Sequence, residues 1–123
     1  MSRKLKILVV DDEEIVRNCI RGLLSYEGHD VQTAVNAETA LALFSPDRFD
    51  VVFVDYSMPG MKGDELASAL KARAPQQRII MITGNGPVRK SVPGVDLVID
   101  KPVVLRDLQD AIAFVFGEKS FAE

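Results

Sequence analysis

Five residues spread along this 123-residue chain could do chemistry together if the fold brought them to one place: Asp11, Asp12, Asp55, Thr83 and Lys101. Each closes or follows an apolar run, in Leu8-Val-Val-Asp-Asp12, Val52-Phe-Val-Asp55, Met81-Ile-Thr83 and Leu97-Val-Ile-Asp-Lys101. Three carboxylates held close repel one another unless something compensates. The usual compensation is a hard cation with oxygen ligands. Mg²⁺ suits the case, because it takes one or two carboxylates, keeps waters and leaves room for phosphate oxygens. Zinc does not, since the only histidine is His29 and the only cysteine Cys19. A lysine pairs with phosphate oxygens and a hydroxyl donates to them. Carboxylate nucleophile, cation, lysine and hydroxyl together are the equipment of phosphoryl transfer, in which a protein mainly positions groups and neutralises charge.

The elements that must position these residues are legible as alternating patterns. Lys6–Val10, Asp50–Val54, Arg78–Thr83 and Leu97–Ile99 are apolar on both faces, as parallel strands covered on two sides must be, and His29–Ala34 is a weaker, alternating strand. Between them, Glu14–Tyr26 carries a helical stripe of Ile15, Val16, Cys19, Ile20, Leu23 and Leu24, stopped by Gly28. Asn36 is placed to cap a helix over Ala37–Phe44, Pro75 closes one over Asp64–Arg73, and Leu105, Leu108, Ile112 and Val115 mark a last one before Gly117. Gly84 to Gly94 breaks the alternation, with prolines at 87 and 93 and three glycines. At most about one helical turn fits between those prolines, so an irregular loop is expected where a helix would stand.

Strand–helix alternation predicts an α/β domain, a single doubly wound five-stranded parallel sheet in the order 2-1-3-4-5 with helices on both faces. Strands 1 and 3 are then neighbours at the switch point, and the crevice there lies beyond their carboxyl ends. Asp11 and Asp12 leave strand 1 at that edge and Asp55 leaves strand 3. Thr83 and Lys101 end or follow the remaining two strands on the same edge.

Taken together, Leu8-Val-Val-Asp-Asp12, Val54-Asp-Tyr-Ser-Met-Pro-Gly-Met-Lys-Gly63, Met81-Ile-Thr-Gly84 and Asp100-Lys-Pro102 resemble the receiver domain of bacterial two-component response regulators, the CheY-like fold. The resemblance runs from Lys4 to about Phe116, with 1–123 read as a single receiver domain whose core is about 4–117. It implies a phosphoacceptor signalling domain rather than an enzyme with an external substrate, one that catalyses only its own phosphorylation and dephosphorylation. Asp55 would be the phosphorylated aspartate. Asp12 would ligate Mg²⁺ directly, Asp11 largely through water, and Asp55 and the Ser57 backbone carbonyl would complete the protein's share. Lys101 would pair with Asp55 and then with the phosphoryl group, Thr83 would turn its hydroxyl onto a phosphoryl oxygen, and the Lys101–Pro102 bond would be cis. The donor would be a phosphohistidine on a sensor histidine kinase or a histidine phosphotransfer protein, and a downstream protein would read the change.

Two departures from the family pattern bear on output. The position three before the lysine, commonly aromatic, is Val98, so Thr83 would act without a rotating ring. The stretch from Thr83 to Lys101 is also shorter than usual, in line with the helix missing from Gly84–Gly94, so a partner would read a different or remodelled surface. Gly84 and Gly86 beside the threonine suit a loop that orders on phosphorylation.

Composition narrows the field further. With 47% hydrophobic and 27% charged residues the chain reads as one soluble globular domain, and a net charge of −3 speaks against direct nucleic-acid binding. No apolar stretch is long enough to span a membrane, a lone cysteine allows no internal disulfide, and a cytoplasmic protein, monomeric or weakly dimeric, is expected. The chain is expected to be a stand-alone receiver or a piece of a larger regulator or hybrid kinase, with Met1 close before the first strand favouring the former. Glu13 is read as capping the first helix, with contact to a metal-bound water ranked second; Cys19 is read as a small core side chain, His29 as a surface turn residue, and Tyr56 as lining the site rim. Met58 and Met61 are read as packing or loop contacts, and Lys62 as solvated. A haloacid-dehalogenase-like phosphatase would need a D-x-D motif after the first strand. A partner-binding pseudo-receiver would not need the intact acid, threonine and lysine set, and a flavodoxin-like site would suffer repulsion of its phosphate by Asp11-Asp-Glu-Glu14.

Overall fold

The computed structural model describes residues 4–84 and 92–118. In chain order the elements are β1 (Lys6–Val10), α1 (Glu14–Tyr26), β2 (Asp30–Ala34), α2 (Ala37–Leu43), β3 (Val51–Asp55), α3 (Gly63–Arg73), β4 (Arg78–Thr83), β5 (Leu97–Asp100) and α4 (Leu105–Val115). All strand pairs are parallel and the sheet order is β2-β1-β3-β4-β5, the order expected from the sequence.

Side chains alternate across a strand, so each inner strand feeds two cores. Leu8, Val10, Val52, Val54 and Ile79 face α2 and α3, where they meet Ala37, Ala40, Leu66, Ala67 and Leu70. Ile7, Val9, Val51, Phe53, Ile80 and Ile82 face α1 and α4, against Ile20, Leu24, Leu108 and Ala111. These two layers are why β1, β3 and β4 read as unbroken apolar runs, and why β2 at the edge, paired on one side only, alternates.

Helix α1 corrects one reading. The stripe read from the sequence is wider than the face that packs. Ile20 and Leu24 are buried and Val16 and Leu23 partly so, but Ile15 is 85% exposed and Cys19 is exposed too. Residues 15 and 19 lie one turn apart and about 100° round the helix from 16 and 20, which puts them beyond the sheet's reach. Cys19 is therefore a surface thiol, not a core side chain. His29 differs as well: it is half-buried, and its Nδ1 accepts a hydrogen bond from the Leu5 N–H at 3.1 Å.

The loop expected at Gly84–Gly94 falls mostly on residues 85–91, outside the described residues; among the described residues no helix lies between β4 and β5. From Val92 the chain is pinned by particular contacts. Val92 is buried. Gly94 adopts φ +83° against the Ala67–Ser68 backbone of α3, a conformation that favours glycine. The Asp96 carboxylate accepts from the Ile79 N–H at 2.7 Å and from Lys71 Nζ at 3.3 Å, while the Asp96 N–H donates to the Ile79 carbonyl at 2.9 Å. One aspartate thus ties the entry to β5 onto β4 and α3.

Candidate functional site

Strand order places the candidate side chains. In the β1–β3 pair Val10 lies beside Val54, so the residues that follow, Asp11 and Asp55, leave the sheet at the same level. In the β3–β4 pair Asp55 lies beside Ile82, and the Tyr56 N–H donates to the Ile82 carbonyl at 2.9 Å, which carries the chain past Asp55 without losing register. Asp11 is tied down locally: its N–H donates to the Ala34 carbonyl at 3.1 Å, its Oδ1 accepts from the Glu13 N–H at 2.9 Å, and its carbonyl accepts from Arg17 at 2.8 Å.

The result is a cluster. One carboxylate oxygen from each of Asp11, Asp12 and Asp55 lies within 4.8 Å of the other two. Asp11 and Asp55 are 1% and 2% exposed. Asp11 Oδ2, Asp12 Oδ1 and Asp55 Oδ1 are buried and accept no hydrogen bond among the described residues. Buried anionic oxygens without donors are costly, and three together with a free side to the crevice are the donor set a hard, oxygen-seeking cation fits. The opening of about 290 Å³ beside them is lined by Asp12, Glu13, Asp55, Ser57, Gly84 and Lys101.

Lys101 enters from the loop after β5. Its N–H donates to the Thr83 carbonyl at 2.7 Å and its peptide bond to Pro102 is cis. Nζ stands 3.3 Å from Asp55 Oδ1 and 3.6 Å from Asp11 Oδ2, as a charge without a hydrogen bond to either, and donates to Glu13 Oε1 at 3.2 Å. Burial by itself would lower the lysine's pKa, but the carboxylates of Asp11, Glu13 and Asp55 outweigh it and the net shift is upward. Burial raises the Asp11 pKa, against the opposing pull of the Glu13 N–H and Lys101. Asp55 is pushed up to about 6, first by burial and then by the neighbouring Asp11, with Lys101 and the Ser57 N–H pulling the other way.

Thr83 is buried at the end of β4, one residue beyond the partner of Asp55 and paired in register with Asp100. Val98 is half-buried opposite Met81, and β5, reading Leu-Val-Ile-Asp, carries no aromatic ring. Tyr56 is half-buried, Met58 is buried, and Met61 is 38% exposed.

Two residues take parts that the sequence reading did not foresee. Glu13 sits at the N-cap of α1, but its side chain makes no cap hydrogen bond and goes to Lys101 instead. Gly63 opens α3 against the loop after Asp55: a Cβ there would lie 2.5 Å from the Asp55 carbonyl oxygen and 2.8 Å from Tyr56 Cα, closer than atoms can pack. The motif ending in Lys62-Gly63 held that signal, although its physical reason is visible only with the backbone in place. On the flank of the crevice an apolar groove of about 500 Å³ runs between α1 and the loop after β5. It is lined by Ile15, Val16, Cys19, Ile20, Pro102 and Val103, and it shares Gly84 and Lys101 with the crevice.

Comparison with known proteins agrees with this architecture. Residues 7–113 match the family described as the response regulator receiver domain. The response regulator MprA of Mycolicibacterium vanbaalenii is 35% identical over 108 residues, covering 85% of this chain and 47% of that protein. The chain thus spans about half the length of the curated relatives it matches. A response regulator receiver domain protein from Clostridium thermocellum superposes with a TM-score of 0.83 at 31% identity, covering 91% of this chain and 94% of that one. TrrA of Thermotoga maritima, a response regulator solved in complex with Mg²⁺-BeF, superposes with a TM-score of 0.82 at 30% identity, covering 92% of this chain and 99% of that one. Among the described residues no helix is long and apolar enough to cross a membrane. With an acid cluster, a lysine and a threonine gathered at the carboxyl edge of a 2-1-3-4-5 sheet, the chain belongs to the response regulator receiver domain family of two-component signalling.

Proposed function

We propose that the whole chain acts as one receiver unit and that Asp55 is its phosphoacceptor, charged by a phosphohistidine on a histidine kinase or phosphotransfer protein. The observation that carries this is the meeting of three orphaned carboxylate oxygens with Lys101 beside a crevice. An oxygen of Asp55 attacks phosphorus, the phosphorus–nitrogen bond to the donor imidazole breaks, and the imidazole leaves with the electron pair and takes up a proton. Asp11, Asp12, Asp55 and the Ser57 carbonyl would hold Mg²⁺, which when bound neutralises the acids and the phosphoryl oxygens. Lys101 supplies a second positive charge, and Thr83 offers a hydroxyl at the end of β4. Substrate turnover is confined to the chain's own aspartate, and a downstream protein reads the result.

The apolar groove gives the donor a seat. An amphipathic helix laid along Ile15, Val16 and Pro102 would present a phosphohistidine to the crevice that shares Lys101 and Gly84 with it. Incubation with Mg²⁺ and a small acyl phosphate, followed by mass mapping, tests the site. Asp55 is expected to carry the label, Asp55→Asn to abolish it, and chelation of the metal to suppress it. Full labelling of Asp55→Asn would overturn the assignment.

A further inference from the structure

Lys101 has three acidic neighbours, and its hydrogen bond goes to the one outside the proposed metal site. Nζ donates to Glu13 Oε1 at 3.2 Å, while Asp55 Oδ1 and Asp11 Oδ2 accept no hydrogen bond from it. The side chain of Glu13 is 60% exposed and that of Lys101 is 19% exposed, so the pair sits on the rim of the crevice and leans outward. The glutamate backbone is fixed by its own N–H on Asp11 Oδ1 at 2.9 Å and by the start of α1. The side chain makes no cap hydrogen bond, and its carboxylate reaches the lysine instead.

Resting on the phosphoacceptor reading, we propose that Glu13 is a positioning residue that competes with the phosphoryl group for Lys101. It holds the ammonium at the rim in the resting protein and must release it when the phosphoryl group arrives. Two costs follow. A charge-assisted hydrogen bond is broken, and the released carboxylate is left near an anionic phosphoryl group, where solvent at this exposed position screens only part of the repulsion. Glu13 thereby sets how readily the site accepts a phosphoryl group, without touching the reacting atoms.

The test compares wild type, Glu13→Gln and Glu13→Asp by titration with beryllium fluoride at saturating Mg²⁺, read from backbone amide signals at Thr83 and Gly84. The Lys101 side-chain Nζ and Cε signals are read in the metal-free protein, and Mg²⁺ affinity is measured without fluoride. Removing the competitor should tighten beryllium fluoride binding about three- to tenfold. Glu13→Asp keeps the charge but is one methylene short of Lys101, and it should change affinity in the same direction. Both variants should move the Lys101 signals in the resting protein, and neither should change the Mg²⁺ dissociation constant more than about twofold. A wild-type response that Glu13→Gln leaves unchanged or weakens would overturn the inference while leaving the phosphoacceptor reading intact. So would a Glu13→Asp variant that matches wild type, or a loss of Mg²⁺ affinity in Glu13→Gln, which would assign Glu13 to the metal. No response in wild type would overturn the phosphoacceptor reading and the inference with it.

Discussion

Replacing Asp55 by asparagine removes the charge at the most crowded point of the acid cluster while keeping the shape of the side chain. The unfolded carboxyl titrates near 3.8 and the folded one near 6, because burial and Asp11 oppose its ionisation. A pKa raised on folding means that the folded state holds the proton more tightly. The stability linked to that proton is complete below pH 3.8 and is lost as pH rises through 6. Each pKa unit is worth 1.36 kcal/mol, so the ionised aspartate costs the folded, metal-free protein about 3 kcal/mol at pH 7.5. The raised value already includes the pull of Lys101, and the asparagine amide gives back part of the gain only through the cost of its own burial. Asp55→Asn should therefore stabilise the metal-free protein by about 1–3 kcal/mol at pH 7.5 and by much less at pH 4, where the wild-type group is protonated in the folded state. Urea denaturation with a chelator present, at both pH values, measures this directly. Saturating Mg²⁺ should narrow the gap by stabilising wild type, by about 2.7 kcal/mol at one hundred times the dissociation constant. A variant less stable than wild type at pH 7.5, or a gain of equal size at both pH values, would refute the electrostatic account of the site.

Other outcomes follow from single contacts. Gly63→Ala should destabilise the protein by about 1–3 kcal/mol, the range for forced overpacking, and should shift the Tyr56 and Ser57 amide signals beside Asp55; a change under about 0.5 kcal/mol would mean that the loop relaxes freely. His29 should show the opposite pH sign to Asp55. Its pKa is lowered by burial, and Nδ1 must stay unprotonated to accept from Leu5. Its contribution is present above pH 6.5 and is lost as pH falls through the folded value. The Leu5 amide signal should move with the imidazole titration, and His29→Phe should abolish that movement.

How much of this was legible depends on how local the cause is. Asn36 caps α2 as its residue type announces, accepting from the Thr39 N–H at 2.8 Å. The helix bounds at Glu14–Tyr26 and Leu105–Val115 follow from periodicity and the glycines that end them. Cys19 misled because a helical stripe records which residues are apolar, not how wide a strip the sheet covers. Asp96 gave no signal, because an isolated aspartate in a loop looks solvated until Ile79 and Lys71 are brought beside it.

Apolar runs ending in acids, a threonine and a lysine determined the sheet, its order and the edge on which those residues emerge. Parallel strands covered on both faces leave a sequence little freedom, and right-handed crossovers leave few ways to order them. Only tertiary structure decided which groups press on one another: the stripping of water from Asp11 and Asp55, the close approach at Gly63, and the grip of Glu13 on a lysine 88 residues away. Those effects depend on distances of a few ångströms between atoms far apart in the chain, where burial and charge act, and residue order alone carries no record of them.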